Sequence, residues 1–369
     1  MKEIFFRANQ YLFFAVLLVV VLYFGKPVLI PITFAALLAM LMAPVCRYLD
    51  KKGFKRALSS FTCILIIVVT LLGMFAVIGG QFAAFSDDYP KIEQKAKKYF
   101  QEGQALIEEK LGVSPKKQEE AIKEQVKSSP QGGGGFVTRF FGGLTSSIAG
   151  LILTLVYTFL MLFNKEHFEE FFVKLYKNED EGRVKTVVGK IATVGQKYLT
   201  GRATSVMIIA ILYAIGLSIV GIKNAILLAG VAAILTVIPY VGTVLGGLFP
   251  VVTALATEDS INTALWAGVV LIVIQTIDNY FIEPNVVGGG VNLSALVSIL
   301  SIIVGGMIWG VAGMILFLPL AGIVKIICDN VEPLNPIGHL LGEPDEGKPS
   351  KIKLWIQEKL GKKKEAKRA

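Results

Sequence analysis

With 54% of its 369 residues hydrophobic, 18% charged and a mean hydropathy of +0.63, the chain has too little polar surface to cover itself in water. That excludes an ordinary soluble enzyme or binding module and leaves an all-α polytopic membrane protein. The formal net charge of +9 is not a nucleic-acid footprint, because the basic residues collect in particular loops and in the tail.

Residues 1–80 read as an N-terminal scaffold of three transmembrane helices, from the apolar runs YLFFAVLLVVVLYFG (11–25), VLIPITFAALLAMLMAPV (28–45) and LSSFTCILIIVVTLLGMFAVIGG (58–80). A helix needs roughly 17 to 25 residues to cross the hydrocarbon. Lys2 and Arg7 precede the first run, but no small-x-small cleavage site follows, so it reads as an uncleaved helix. The loop CRYLDKKGFKR carries five basic residues against one acid. The positive-inside rule therefore puts it, and both termini, in the cytoplasm.

That parity leaves 81–142 outside as an extracytoplasmic helical insert. Ile92, Ala96, Tyr99, Leu106 and Ile107 fall on one helical face, Ser114-Pro115 starts a second helix, and SSPQGGGG ends it flexibly. It is either a docking module or a solvated hairpin. Residues 143–202 bring a fourth membrane helix (about 144–163) back inside, followed by a cytoplasmic interfacial segment. There Val184, Val187, Val188, Ile191, Val194 and Tyr198 recur at helical spacing with Arg183, Lys185, Lys190 and Lys197 off that face. Such a helix lies along anionic headgroups or packs on protein.

The next stretch, 203–330, has an unusual rhythm. Residues 203–221 make one span, and 224–257 are apolar but broken by Pro239, Gly242, Gly246, Gly247 and Pro250. Residues 261–283 make another span, and 292–327 are broken by Gly305, Gly306, Gly310, Gly313 and Pro319. At 1.5 Å per residue neither broken stretch comfortably crosses twice, so each is expected to be a re-entrant hairpin. Span plus hairpin then occurs twice in opposite orientation, a candidate inverted repeat. Such paired breaks point to a midplane binding site. Glycines spaced four apart have a plainer reading as close helix contacts. Residues 331–369 form a basic cytoplasmic tail.

The chemistry-bearing stretch is QTIDNYFIEP, 275–284. Gln275, Asp278, Asn279 and Glu283 fall on one face if the helix ends near 283. A carboxylate facing lipid at depth costs about 3 kcal/mol or more, so this face should look into protein or water. Asp278 can there bind a cation, a proton or a polar solute. The alternative is that it anchors at the interface, as Glu283 before Pro284 is expected to do. Tyr240, beside the first break, is a gate or an ordinary helix-end aromatic.

Enzyme signatures are missing, and no catalytic residue, metal site or cofactor is expected. His167 and His339 are far apart, and Cys46, Cys63 and Cys328 are scattered in or beside apolar runs. GEPDEGKPS (342–350) mimics a phosphate loop but has Pro349 where Ser or Thr is required.

Three longer stretches carry a resemblance. They are PITFAALLAMLMAPVCRYLDKKGFKR, the run from YLTGRATSVMII to IPYVGTVLGG, and QTIDNYFIEPNVVGGGVNLSALVSILSIIVGGMIWGVAGMILFLPLAGIVKI. In them the chain resembles the autoinducer-2 exporter family. The resemblance implies a bacterial inner-membrane transporter with about eight membrane segments, homo-oligomeric and embedded in lipid. It is linked either to export of a small polar solute like autoinducer-2 or to sodium/proton antiport. By similarity Pro239, Tyr240, Gly242, Asp278, Asn279, Pro284, Gly306, Gly310 and Gly313 occupy the motif positions. The expectation is a secondary-type exporter coupled to an ion gradient. A cation/proton antiporter using Asp278, a passive channel and a non-transporting membrane scaffold stand as alternatives.

Overall fold

The structure, a computed structural model, describes residues 2–77, 79–80, 133–175, 181–239, 241–258, 260–287 and 293–343. Most of the expected external insert, Tyr240, and the tail beyond 343 with its phosphate-loop mimic lie outside the described residues. Every regular element among the described residues is helical. In chain order they are α1 (Lys2–Phe24), α2 (Lys26–Lys51), α3 (Arg56–Val77), α4 (Gly133–Phe163), α5 (Lys165–Leu175) and α6 (Glu181–Val220). There follow α7 (Ala225–Leu235), α8 (Val241–Thr257), α9 (Ile261–Ile277) with a π-helical continuation Asp278–Val287, α10 (Ala295–Trp309), α11 (Val311–Asn330) and α12 (Asn335–Leu341).

Among the described residues, five helices are long and apolar enough to cross a bilayer, or six if a bent pair counts as one span. Large apolar side chains stand exposed along them, among them Leu65, Val69, Ile211, Ile215, Ile219, Trp266 and Ile272, which in lipid is their solvated state. The chain is a polytopic helical membrane protein, as its composition required.

One expectation about the inner surface changes. The segment 181–202 is not a separate interfacial helix; it runs without a break into the next span as the 40-residue α6. At 1.5 Å per residue α6 is about 60 Å long, twice the hydrocarbon thickness. The Val184–Ile191–Tyr198 stripe therefore meets protein: α6 packs against α2 and α11, and Gly195 lies so close to α2 that a Cβ there would strike Met40. The short helix that does bend away from its span is α5, turned 71° from the membrane part of α4. Its Lys165 pairs with Asp50 at 2.5 Å, and Glu166 with Arg56 at 2.5 Å, fastening that corner to the α2–α3 loop.

The two broken stretches are helical hairpins, but the 20-residue α11 of the second is long and apolar enough to cross a bilayer, so the expectation of a short re-entrant loop does not hold for that arm. In the first, α7 has 11 residues and spans about 16 Å, too short to cross the bilayer. Its start is set by Gly221 and Asn224, both with positive φ, and its end by turns over Thr236–Pro239. Gly242 and Gly246 let α8 approach α7 closely, because a Cβ at either would run into the carbonyl oxygens of Leu235 and Ala232. In the second hairpin α10 and α11 are joined by the single residue Gly310 (φ 62°, ψ −140°), a conformation costly for any residue with a Cβ. Gly305 and Gly313 face each other backbone to backbone, and Gly306 lies under Met314. The α10–α11 hairpin packs against α6, α2 and α1, the α7–α8 hairpin against α6 and α9, so α6 lies between them.

Candidate functional site

The site begins with how α9 ends. Ser260 caps its first turn, accepting from the Asn262 amide at 3.2 Å, and apolar residues carry the helix to Ile277. From Asp278 the winding widens to a π-helix that reaches Val287. In an α-helix the Pro284 ring would press on the carbonyl four residues back; the wider winding opens that contact and keeps the chain helical past a residue with no N–H to donate. The buried positions record the change of pitch, stepping 274, 278, 282 and then 287.

Asp278 therefore lies on the inward stripe between Ile274 and Ile282, 3% exposed. Across from it is α6, whose Ser205 is fully buried and lies beside the Asp278 carboxyl. Arg202 and Glu283 are also within its electrostatic reach. Tyr213, further along the same face of α6, is buried and within range of the Asp278 charge. The Asp278 Oδ1, Ser205 Oγ, Tyr213 hydroxyl and Arg202 Nε all lack a hydrogen-bond partner. A buried unpaired polar group costs about 1–3 kcal/mol, and an ion more. Four together, holding both donors and acceptors, form a polar site inside an otherwise apolar cluster of α6 to α9.

Arg202 joins three elements. Its guanidinium donates to the carbonyl oxygen of Thr236, the first residue of the hairpin break, while its other terminal nitrogen is 4.0 Å from Glu283 Oε1. The close approach is permitted by Gly201, where a Cβ would collide with the backbone of Val286. Glu283 is half exposed, so that ion pair contributes at most about 1 kcal/mol. The bond to Thr236 satisfies a carbonyl at the end of α7 that receives no other donor among the described residues.

The expected polar face divides. Only Asp278 turns inward; Gln275 Nε2 donates to Asn279 Oδ1 at 3.2 Å on the exposed side, beside Tyr280 and Phe281. The reason is angular: Asp278 and Asn279 are adjacent and point about 100° apart, so one packed groove cannot take both. Glu283 is at the exposed edge. Of the break residues, Pro250 and Pro319 are buried, Pro239 is half-buried in the turn, and Gly242, Gly246 and Gly313 serve close contacts. Arg202, Ser205 and Tyr213 were not among the sequence candidates. Their spacing, with Ile209, of three, four and four residues was the available signal.

Comparison with known proteins agrees with this architecture. The description "AI-2E family transporter" matches residues 12–332. The chain is 23% identical over 323 residues to the AI-2 transport protein TqsA of Escherichia coli (strain K12), covering 87% of this chain and 91% of that one. It is 27% identical over 337 residues to YueF of Bacillus subtilis (strain 168), provisionally described as a transport protein, covering 87% and 88%. The match takes in the α7–α8 break, the Asp278 segment and the α10–α11 hairpin in one continuous run, and the chain belongs to the AI-2E family of transporters.

Proposed function

We propose that this multi-pass bacterial membrane transporter is a secondary exporter of a small polar solute, driven by an ion gradient, with Asp278 as its charged centre. The observation that carries the reading is the buried Asp278 carboxyl, its Oδ1 without a hydrogen-bond partner, beside the buried Ser205 and Tyr213 hydroxyls and next to a hairpin whose first arm cannot cross the bilayer. Ionisable groups at membrane depth line solute and ion pathways, and broken helices accompany them. TqsA is named for AI-2 transport, which supports a compact hydroxylated solute of that kind. In this reading residues 203–330 form the transport unit as an inverted repeat, residues 1–80 scaffold it, and both termini lie in the cytoplasm of a homo-oligomer in the inner membrane.

A second reading, cation/proton antiport, is favoured by the charges around the site: Asp278 and Glu283 face the one guanidinium of Arg202.

The test is flux in proteoliposomes under imposed sodium and proton gradients, with a panel of small hydroxylated solutes. Asp278→Asn is expected to cut ion-driven flux about a hundredfold or more while thermal unfolding stays near that of the parent, because it removes a charge without removing volume. If solute flux survives in the variant and sodium-dependent proton flux alone is lost, the second reading replaces the first. Intact flux of both kinds would make the polar cluster structural, and reconstituted parent protein that moves nothing would favour a scaffold that displays the 81–142 insert.

A further inference from the structure

We propose that Arg202 is a positioning residue that ties the break of the α7–α8 hairpin to the charge state of the Asp278 site, so that a bound monovalent cation releases the hairpin tip. The inference rests on the transport reading for its purpose, but its geometry stands alone. Arg202 is buried, its guanidinium fixed at one edge to the Thr236 carbonyl and drawn at another toward Glu283, with Nε unpaired. Thr236 is itself buried, and its hydroxyl already donates to Ala233 O at 2.6 Å, so the side chain adds no donor to its own carbonyl.

The formal charges set the stoichiometry. Two carboxylates, Asp278 and Glu283, lie within reach of one guanidinium, which leaves one negative charge over. One monovalent cation neutralises the cluster; a second would make it positive. A cation held by Asp278 is a like charge placed near Arg202, and in a dry interior that repulsion is strong. The guanidinium is planar and rigid, so it cannot swing toward Glu283 and keep its edge on Thr236. Among the described residues no other donor reaches the Thr236 carbonyl, so the adjacent tip of the hairpin, Thr236–Pro239, hydrates to supply one. Occupancy of the site is thereby turned into movement of the hairpin.

The experiment measures hydration of the tip. Val237→Cys is made in a background with Cys46, Cys63 and Cys328 replaced by Ala, and its reaction with N-ethylmaleimide, which attacks thiols in water, is timed in liposomes with sodium or with choline. With Arg202 present, sodium is expected to speed labelling about fivefold or more. Arg202→Gln should label fast in both salts. Arg202→Lys, which keeps the charge but reaches one partner at a time, should be intermediate and still respond to sodium. Glu283→Gln cancels the spare charge yet leaves the Thr236 bond, so it should label slowly in both salts.

The proposal is overturned if parent labelling ignores sodium, if Arg202→Gln remains slow, or if Glu283→Gln keeps the sodium response. Should Arg202→Gln fail to fold, the Lys and Glu283 variants decide. Labelling is read without flux, so the two ideas fail separately: sodium-sensitive labelling with Asp278-independent flux sinks the transport reading and keeps the clamp, and the converse result does the opposite.

Discussion

The α7–α8 and α10–α11 hairpins announce themselves by the same signal, glycine and proline inside an apolar run, yet they are built for different ends. In α10–α11 the glycines meet glycines: Gly305 and Gly313 touch through their backbones, Gly310 alone makes the turn, and no polar side chain is fully buried. In α7–α8 the break is longer, Thr236 and Thr253 are buried, and the freed carbonyl is held by Arg202 from another helix. A break closed by its own backbone fixes a shape. A break completed by a side chain from elsewhere can be undone.

That contrast can be attacked most heavily at the glycine contact. Gly313→Val would drive a branched side chain into the Gly305 backbone, which cannot yield as a flexible side chain would. It is expected to cost about 3 kcal/mol, read as the fraction still monodisperse after heating in detergent. Unchanged thermal survival would mean that α10–α11 is not held by that contact. Gly310→Ala acts on conformation alone and should cost about 2 kcal/mol, because alanine is strained at φ 62° and ψ −140°. The smallest effect is expected from Trp309→Phe, which keeps an aromatic ring against Phe317 but loses the bond from Nε1 to Leu22 O at 2.8 Å, about 1 kcal/mol. A larger loss would show that the pin between α1 and α10 contributes more than one hydrogen bond.

The spans were legible because lipid demands long apolar helices, and the two breaks because glycine and proline interrupt them. Asp278 was legible because a carboxylate in such a run needs a reason. What surrounds it was not. Arg202 sits among Arg183, Lys185, Lys190 and Lys197, and with the span begun at 203 it reads as one more cytoplasmic base. Gly195 and Gly201 are contact points within one unbroken helix, which composition and charge do not reveal. The separation of Asn279 from Asp278 was hidden for another reason: periodicity fixes where a side chain leaves its own helix, whereas neighbouring helices decide which sector is covered.

The bond between Trp309 and Leu22 joins residues 287 positions apart. At ribosomal speeds of roughly 5–20 residues per second, α1 enters the bilayer about 15–60 s before its partner is made. Of the helices seen packed against α1 among the described residues, α2 is made within that interval and α10 is not. Helix α1 must therefore wait in lipid until α10 is made, and the arrival of Trp309 is the moment at which these two distant stretches of the membrane domain are drawn together.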